Sequence, residues 1–367
     1  FMLGRVLRMG GQAAPALDFQ VEAQRLFEAI QDNESAAQMA AKALTEQADC
    51  LTNLGRLDEA AEKYEERIQR GEKLKDYRGV AVGKGQLATV RMYQKKYAEA
   101  LAEYQGALDI FTKQDEPKMV ATAWHQIGIA HQEAGDYESA EAAYRRGLEI
   151  RIRNDYKSDR GASLNQLGQL YGDYMGRLEE AVTFYRQAAD IYVETGDLRY
   201  EGFTRNNIAN TLLQLKRYDE ARAEIMRAIE CDKQFGHASE PWKTFAVLRE
   251  IEIAGGNSAA ARAAWVQARD AYLAYRRQGG YAQQGHAQFV EHVVGLIAQQ
   301  KADELQPLFN QLASDPTTTD ALRHLMGIVV NILNGSRERA LGDDDALYYA
   351  DAAEVLFLME RLEKSRE

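Results

Sequence analysis

The sequence predicts an all-α fold, an α-solenoid in which tandem helix pairs stack into a right-handed superhelix. Ala, Leu, Glu, Gln, Lys and Arg dominate a chain of 367 residues that contains five prolines, and this composition favours helices. Apolar residues make up 46% of the chain, which is enough to bury a core. Small and large residues also recur with a period of 40, and periods of this length are typical of solenoids.

Three columns of residues define the repeat. An alanine recurs every 40 or 41 residues, at Ala60, Ala100, Ala140, Ala181, Ala221 and Ala261. Four residues after it stands a large residue: Tyr64, Tyr104, Tyr144, Tyr185, Ile225 or Trp265. Twelve or thirteen residues before it stands a small one: Ala48, Ala88, Gly128, Gly168 or Ala209. Small residues on facing positions let two antiparallel helices approach closely, and we expect the tyrosines to fill the core beside them.

Turn sequences divide each repeat into helix A and helix B. A glycine or lysine follows the predicted end of each helix A, at Gly55, Lys95, Gly135, Gly176, Lys216 and Gly256, as a helix end requires. The single 41-residue interval is explained by one extra residue in the turn from Tyr171 to Arg177. Each helix is expected to be roughly 16 residues long.

These columns resemble those of a known repeat family. The segments from Trp124 to Ala140 and from Ser163 to Ala181 are similar to the tetratricopeptide signature, with Leu167, Gly168 and Tyr171 in register. The period of 40 is longer than the usual one. It resembles the longer class found in polarity adaptors of the LGN/Pins type, in kinesin light chains and in bacterial signalling ATPases, and the stretch from Thr195 to Ala221 is especially similar to that class.

The same pattern predicts three regions. Residues 1–33 are interpreted as an incomplete N-terminal helix pair and residues 34–280 as six repeats. Residues 281–367 are interpreted as a degenerate repeat, near 282–314, followed by capping helices near 319–334 and 344–363. Atypical sequence is expected at the ends, because a terminal repeat must shield one face from water.

The resemblance implies that the A helices line a concave groove, which is the usual partner site of the family. Counting the small residue of helix A as position eight, positions two, five, six, nine, twelve and thirteen point toward the groove, and many of them are amides. The predicted partner-binding residues are Gln86, His125, Gln126, Asn165, Gln166, Gln169, Phe203, Asn206, Asn207 and Asn210. Asn and Gln both donate and accept hydrogen bonds, so a row of them can hold a peptide backbone. The alternative is that these amides are solvated or pair between neighbouring A helices.

Several classes of function receive no support from the sequence. The net charge of −11 disfavours nucleic-acid binding and favours basic partners. The two cysteines, Cys50 and Cys231, are not expected to pair, and no stretch is long and apolar enough to span a membrane. The six histidines and the cysteines lack metal-binding spacing, and phosphate-loop, dinucleotide and nucleophile-elbow motifs are absent. The acidic run from Asp343 to Asp345 is interpreted as the cap of a helix.

The predicted function is therefore that of a non-catalytic scaffold, without a cofactor, which binds a protein or peptide in the cytoplasm. The alternative is a ligand-sensing or peptide-sensing regulatory region of a larger signalling protein, fused to a nucleotide-binding switch or a protease. This alternative is motivated by Phe1, which precedes the first Met.

Overall fold

The computed structural model describes residues 1–282, 285–299, 301, 304–336 and 338–364. Within these residues the chain forms 18 α-helices and no strands, so the all-α prediction is confirmed. The residues divide into two compact units, Phe1–Arg177 and Leu178–Glu367. None of the described helices is both long and apolar enough to cross a membrane.

The first unit is an antiparallel array in which each helix packs on the next. Its helices are α1 (Met2–Met9), α2 (Ala13–Glu28), α3 (Glu34–Asn53), α4 (Leu57–Lys73), α5 (Tyr77–Tyr93), α6 (Tyr97–Lys113), α7 (Pro117–Glu133), α8 (Tyr137–Arg153) and α9 (Lys157–Gln169). From α3 onward they alternate as helix A and helix B of the predicted pairs. The α-solenoid arrangement is therefore confirmed within this unit.

Small residues bring the paired helices together as predicted. Ala60, Ala100 and Ala140 have no exposed surface. At Gly128 an added Cβ atom would lie only 2.4 Å from ring carbons of Tyr144. The glycine thus makes room for the aromatic ring of the facing helix, which is itself 1% exposed.

The helix ends also follow the sequence pattern. Backbone φ is positive at Gly55, Gly135, Gly176 and Gly256, and also at Lys95 and Lys216, a conformation that glycine adopts without strain. The extra residue of the 41-residue interval does not lengthen a turn as expected. It is accommodated by a π-helical segment, Leu170–Tyr174, in which the amide of Met175 donates to the carbonyl of Leu170 at 3.1 Å.

The second unit begins with further pairs and ends irregularly. Its helices are α10 (Leu178–Thr195), α11 (Leu198–Gln214), α12 (Tyr218–Asp232), α13 (Pro241–Ala254), α14 (Ser258–Arg277), α15 (Ala287–Ala298), α16 (Leu305–Ser314), α17 (Asp320–Leu333) and α18 (Tyr349–Lys364). Between α12 and α13 the usual short turn is replaced by a 3₁₀ segment, Lys233–Ser239. Glu240 then adopts a left-handed conformation, with φ of 51°, directly before Pro241.

The last helix is largely buried. Residues 350–356 of α18 are buried, and the apolar residues among them belong to a cluster with Trp265, Tyr272, Val293 and Val329. The indole nitrogen of Trp265 donates to the carbonyl of Leu347 at 3.0 Å. Helix α18 is therefore a central element of the C-terminal region, packed against α14, α15 and α17.

Candidate partner-binding site

The predicted amides of the first unit lie on one side of α5, α7 and α9. Gln86 and Gln169 are exposed, and Gln126, Asn165 and Gln166 are half-buried. Gln166 partly follows the alternative interpretation, because its amide donates to Gln132 of α7 at 3.5 Å and to Gln169 at 3.3 Å. Gln86 makes no side-chain hydrogen bond to any residue that the structure describes, so its amide is available to a partner.

The repeated tyrosines of the B helices extend from the core toward this surface. Tyr104 is 3% exposed, and its hydroxyl lies 3.0 Å from the hydroxyl of Thr89 and 3.4 Å from the amide oxygen of Gln126. Tyr144 donates in the same way to Gln132 at 3.0 Å. The tyrosines are core residues as predicted, but they also orient the polar groups above them. Gln132 lies at position twelve, on the face predicted to line the groove, although it was not among the predicted binding residues.

His125 is held by packing. Its ring centre lies 5.5 Å from that of Tyr144. Burial, together with the nearby charge of Arg151, lowers the pKa of His125 to about 4. The imidazole is therefore neutral at pH 7, and it offers a partner a polar edge without charge.

A cavity of about 180 Å³ opens between α5, α6 and α7. Its lining residues are Ala81, Val82, Gly85, Gln86, Thr89, Tyr104, Ala107, Phe111, Met119, Thr122, Ala123 and Gln126. Two of the predicted binding residues, Gln86 and Gln126, thus share one cavity with an apolar floor.

In the second unit a cavity of about 410 Å³ lies between α11 and α13. Three predicted residues, Phe203, Asn206 and Asn207, line it together, and Phe203 is 59% exposed. The amide of Asn210 donates to the side-chain oxygen of Asn206 at 2.8 Å, which fixes the orientation of that residue. The side chain of Asn207 makes no hydrogen bond to the described residues, so it retains both a donor and an acceptor for a ligand.

Charged groups of both signs surround the cavity between α11 and α13. Arg199 stands at the start of α11, where its guanidinium lies 5.9 Å from the ring centre of Phe235. Lys243 pairs with Glu240 at 2.6 Å. Burial raises the pKa of Asp232, although the hydroxyl of Thr244 donates to its carboxylate at 2.9 Å. The cavity can therefore accommodate a zwitterionic segment as well as a neutral one.

The wall of this cavity was not foreseen from the sequence. Asp232, Glu240, Lys243 and Thr244 reach it only because the 3₁₀ segment sets the position of α13 relative to α11. Gly236 and Pro241, which interrupt a helix, were the available signals.

A fixed ion-pair network supports α11 next to the cavity. Glu201 is 1% exposed and lies 2.9 Å from Arg205 and 2.8 Å from Arg227. Burial alone would raise the pKa of Glu201, but the two guanidinium groups outweigh that effect and lower it. These charges are internally satisfied, so they brace the helix and leave the cavity residues to contact a ligand.

A third cavity, of about 560 Å³, lies at the ends of α2, α3 and α4. Phe27, Ile30, Ala37 and Leu74 give it an apolar lining, and none of the predicted binding residues reaches it.

The interpretation of the acidic run from Asp343 to Asp345 as a helix cap is wrong. Helix α18 begins at Tyr349, and each carboxylate pairs elsewhere: Asp343 with Arg269, Asp344 with His324, and Asp345 with Arg262. In the described part of the chain, no group of three or more His, Cys, Asp or Glu residues is arranged to hold a metal ion.

Comparison with known proteins agrees with this architecture. Residues 79–153 and 154–234 match the family model of the tetratricopeptide repeat. The chain therefore carries tetratricopeptide repeats over this part of its length, and the predicted resemblance is confirmed. No curated protein is significantly similar to the chain in sequence.

Solved structures share the fold at low sequence identity. BtubC (BKLC) from P. vanneervenii aligns with a TM-score of 0.54 at 16% identity, over 62% of this chain and 94% of that chain. Aspartyl phosphate phosphatase F from Bacillus subtilis aligns with a TM-score of 0.52 at 13% identity, over 78% of this chain and 72% of that chain. At such identities the likeness shows the fold alone.

Proposed function

We propose that this protein is a non-catalytic scaffold of the cytoplasm, which binds a peptide or an extended segment of another protein across the exposed faces of its A helices. The observation that carries the proposal is the cavity between α11 and α13, where Phe203, Asn206 and Asn207 meet. An exposed aromatic ring and two half-buried amides in one cavity match what a peptide offers, namely apolar side chains and backbone amides.

Each group has a distinct task in this proposal. Asn207 donates to a backbone carbonyl and accepts from a backbone amide of the bound segment. Phe203 covers an apolar side chain of the partner, because its ring is already exposed to solvent. Lys243 and Glu240 pair with each other, which leaves Arg199 to attract a carboxylate and Asp232 to attract a basic group, so the local charges favour a mixed sequence. The negative charge of the whole chain still favours basic partners during encounter.

The test is a selection of peptides from a random phage-displayed library on the wild-type chain, followed by titration of the synthesised peptides. The double variant N206A/N207A should weaken binding at least about tenfold, since each unpaired polar group in the complex costs about 1–3 kcal/mol. Its melting temperature should stay unchanged, because Asn206 bonds only within its own helix and Asn207 is unbonded among the described residues.

Asn331→Ala is the matched control, because this exposed asparagine lies on α17 and reaches none of the three cavities. It should bind the selected peptides as tightly as the wild type. Equal binding by N206A/N207A, or a fall in melting temperature that accounts for its loss of binding, would contradict the proposed site.

A further inference from the structure

The cavity between α5, α6 and α7 is lined by a glycine that neither packing nor backbone geometry explains. Gly85 lies in the middle of α5 with an ordinary helical conformation, and an added Cβ atom would meet nothing within 4 Å. Glycine is the least favourable residue in a helix interior after proline. By contrast, Gly128 leaves room for a neighbouring ring. What Gly85 supplies is empty space in the cavity wall.

The cavity is apolar at its base and polar at its rim. Ala81, Ala107 and Phe111 form a buried cluster, with Val82 and Met119 partly buried against it. Gln86 and Gln126 border the opening on two neighbouring A helices. An apolar side chain can therefore enter while the attached backbone reaches amide groups on both sides.

The volume sets the size of the occupant. At about 180 Å³ the cavity lies below the roughly 300 Å³ at which sites for drug-sized ligands begin. It is close to the engineered cavity of about 150 Å³ that holds one benzene molecule in another protein. One apolar side chain is thus the occupant that fits.

The charges around the cavity exclude an ionised occupant. None of its lining residues carries a charge at neutral pH, and burial raises the pKa of Tyr104 further. The nearest cation on α5, Lys84, is already paired with Glu103 at 2.8 Å. A charged side chain would lose its hydration in this cavity without gaining a counterion.

We infer that the cavity beside Gly85 is an anchor pocket that takes one leucine or methionine side chain of an extended peptide, whose backbone is held by Gln86 and Gln126. The inference rests on the proposed peptide-binding function for the class of partner. It adds a second contact point, independent of the cavity between α11 and α13, and it specifies the side chain that this point selects.

The experiment uses the phage-selected peptides and the variant Gly85→Leu, whose new side chain would occupy the pocket. The selected peptides should share a leucine or methionine. The variant should bind them roughly 10- to 100-fold more weakly, the equivalent of withholding one aliphatic side chain from burial. Replacing the shared residue of the peptide by alanine should weaken its binding to the wild type by the same factor. The same replacement should hardly weaken binding to the variant further.

Gly327→Leu on the exposed surface of α17 is the matched control, because a Cβ atom there also meets nothing within 4 Å. It should bind as the wild type does. Full affinity in Gly85→Leu, the absence of a shared leucine or methionine, or a failure to select peptides would overturn the inference. Should Gly85→Leu fold poorly, the alanine-substituted peptide on the wild type decides the matter.

The variant N206A/N207A separates the two proposals. If it weakens binding while Gly85→Leu does not, the anchor pocket is wrong and the proposed function stands. If only Gly85→Leu weakens binding, the pocket stands and the site between α11 and α13 fails.

Discussion

Adding a methyl group at two glycines of the same array tests the packing argument quantitatively. At Gly128 the new Cβ atom would lie 2.4 Å from the ring of Tyr144, whereas at Gly85 it would have no neighbour within 4 Å. The ring cannot move away freely, because it is buried and its hydroxyl is bonded to Gln132 at 3.0 Å.

The two substitutions share one favourable effect, which therefore cancels between them. Replacing glycine by alanine in a helix interior stabilises it by about 1 kcal/mol. Overpacking a filled core costs about 1–3 kcal/mol, and only Gly128→Ala should meet that cost. We expect Gly85→Ala to raise the free energy of unfolding by about 1 kcal/mol and Gly128→Ala to lower it by up to about 2 kcal/mol.

Urea denaturation followed by far-ultraviolet circular dichroism measures both values. Because repeat arrays can open locally, hydrogen exchange of the α7 and α8 amides should be recorded as well. Faster exchange in those two helices is expected for Gly128→Ala alone. Equal stability of the two variants would refute the claim that Tyr144 requires a glycine opposite its ring.

The structure also predicts how two further substitutions change stability. Lys95 has φ of 59°, so Lys95→Gly should stabilise the protein by about 1 kcal/mol. Ala102→Gly, at an exposed position inside α6, should instead destabilise it by about 1 kcal/mol. Thermal melting of both variants checks this, and the reverse order would contradict it. Burial outweighs the attraction of Arg276 and raises the pKa of Glu354 to about 7, from 4.5. Between these values the folded state binds a proton that the unfolded state lacks, so this residue lowers stability as pH rises from 4.5 to 7. Urea denaturation at pH 5 and pH 7.5 measures the decline in the free energy of unfolding between these pH values. This decline should be smaller for Glu354→Gln than for the wild type or for the surface control Glu149→Gln. An equal decline in all three would count against the raised pKa of Glu354.

The repeat region could be predicted because its contacts are local and recur. The tyrosine of helix B and the small residue of helix A meet within one pair, about 16 residues apart, so one alignment of the sequence reveals them. The amide positions follow from the same register. The alignment could not reveal which amides are already hydrogen-bonded within the protein. Gln166 donates to Gln132, whereas the side chain of Gln86 has no hydrogen bond to the described residues.

Two features depended on geometry that no periodic pattern encodes. The extra residue before Arg177 predicted a longer turn, but the backbone absorbed it as a π-helical segment. The cavity between α11 and α13 depends on the 3₁₀ segment and on the left-handed conformation of Glu240. Both are local departures from the repeat, and their structural result is set by how the flanking helices pack.

The sequence by itself determined that the protein is all-α, where its repeats lie, and which faces of the A helices are polar, because periodicity encodes contacts between neighbouring helices. Only the tertiary structure decided how the C-terminal region packs. There, Trp265 bonds to Leu347 across 82 residues and Arg269 to the carbonyl of Gly342 across 73. Such contacts join segments that share no repeat, so their side chains carry no periodic signal, and α18 becomes buried only when those segments come together.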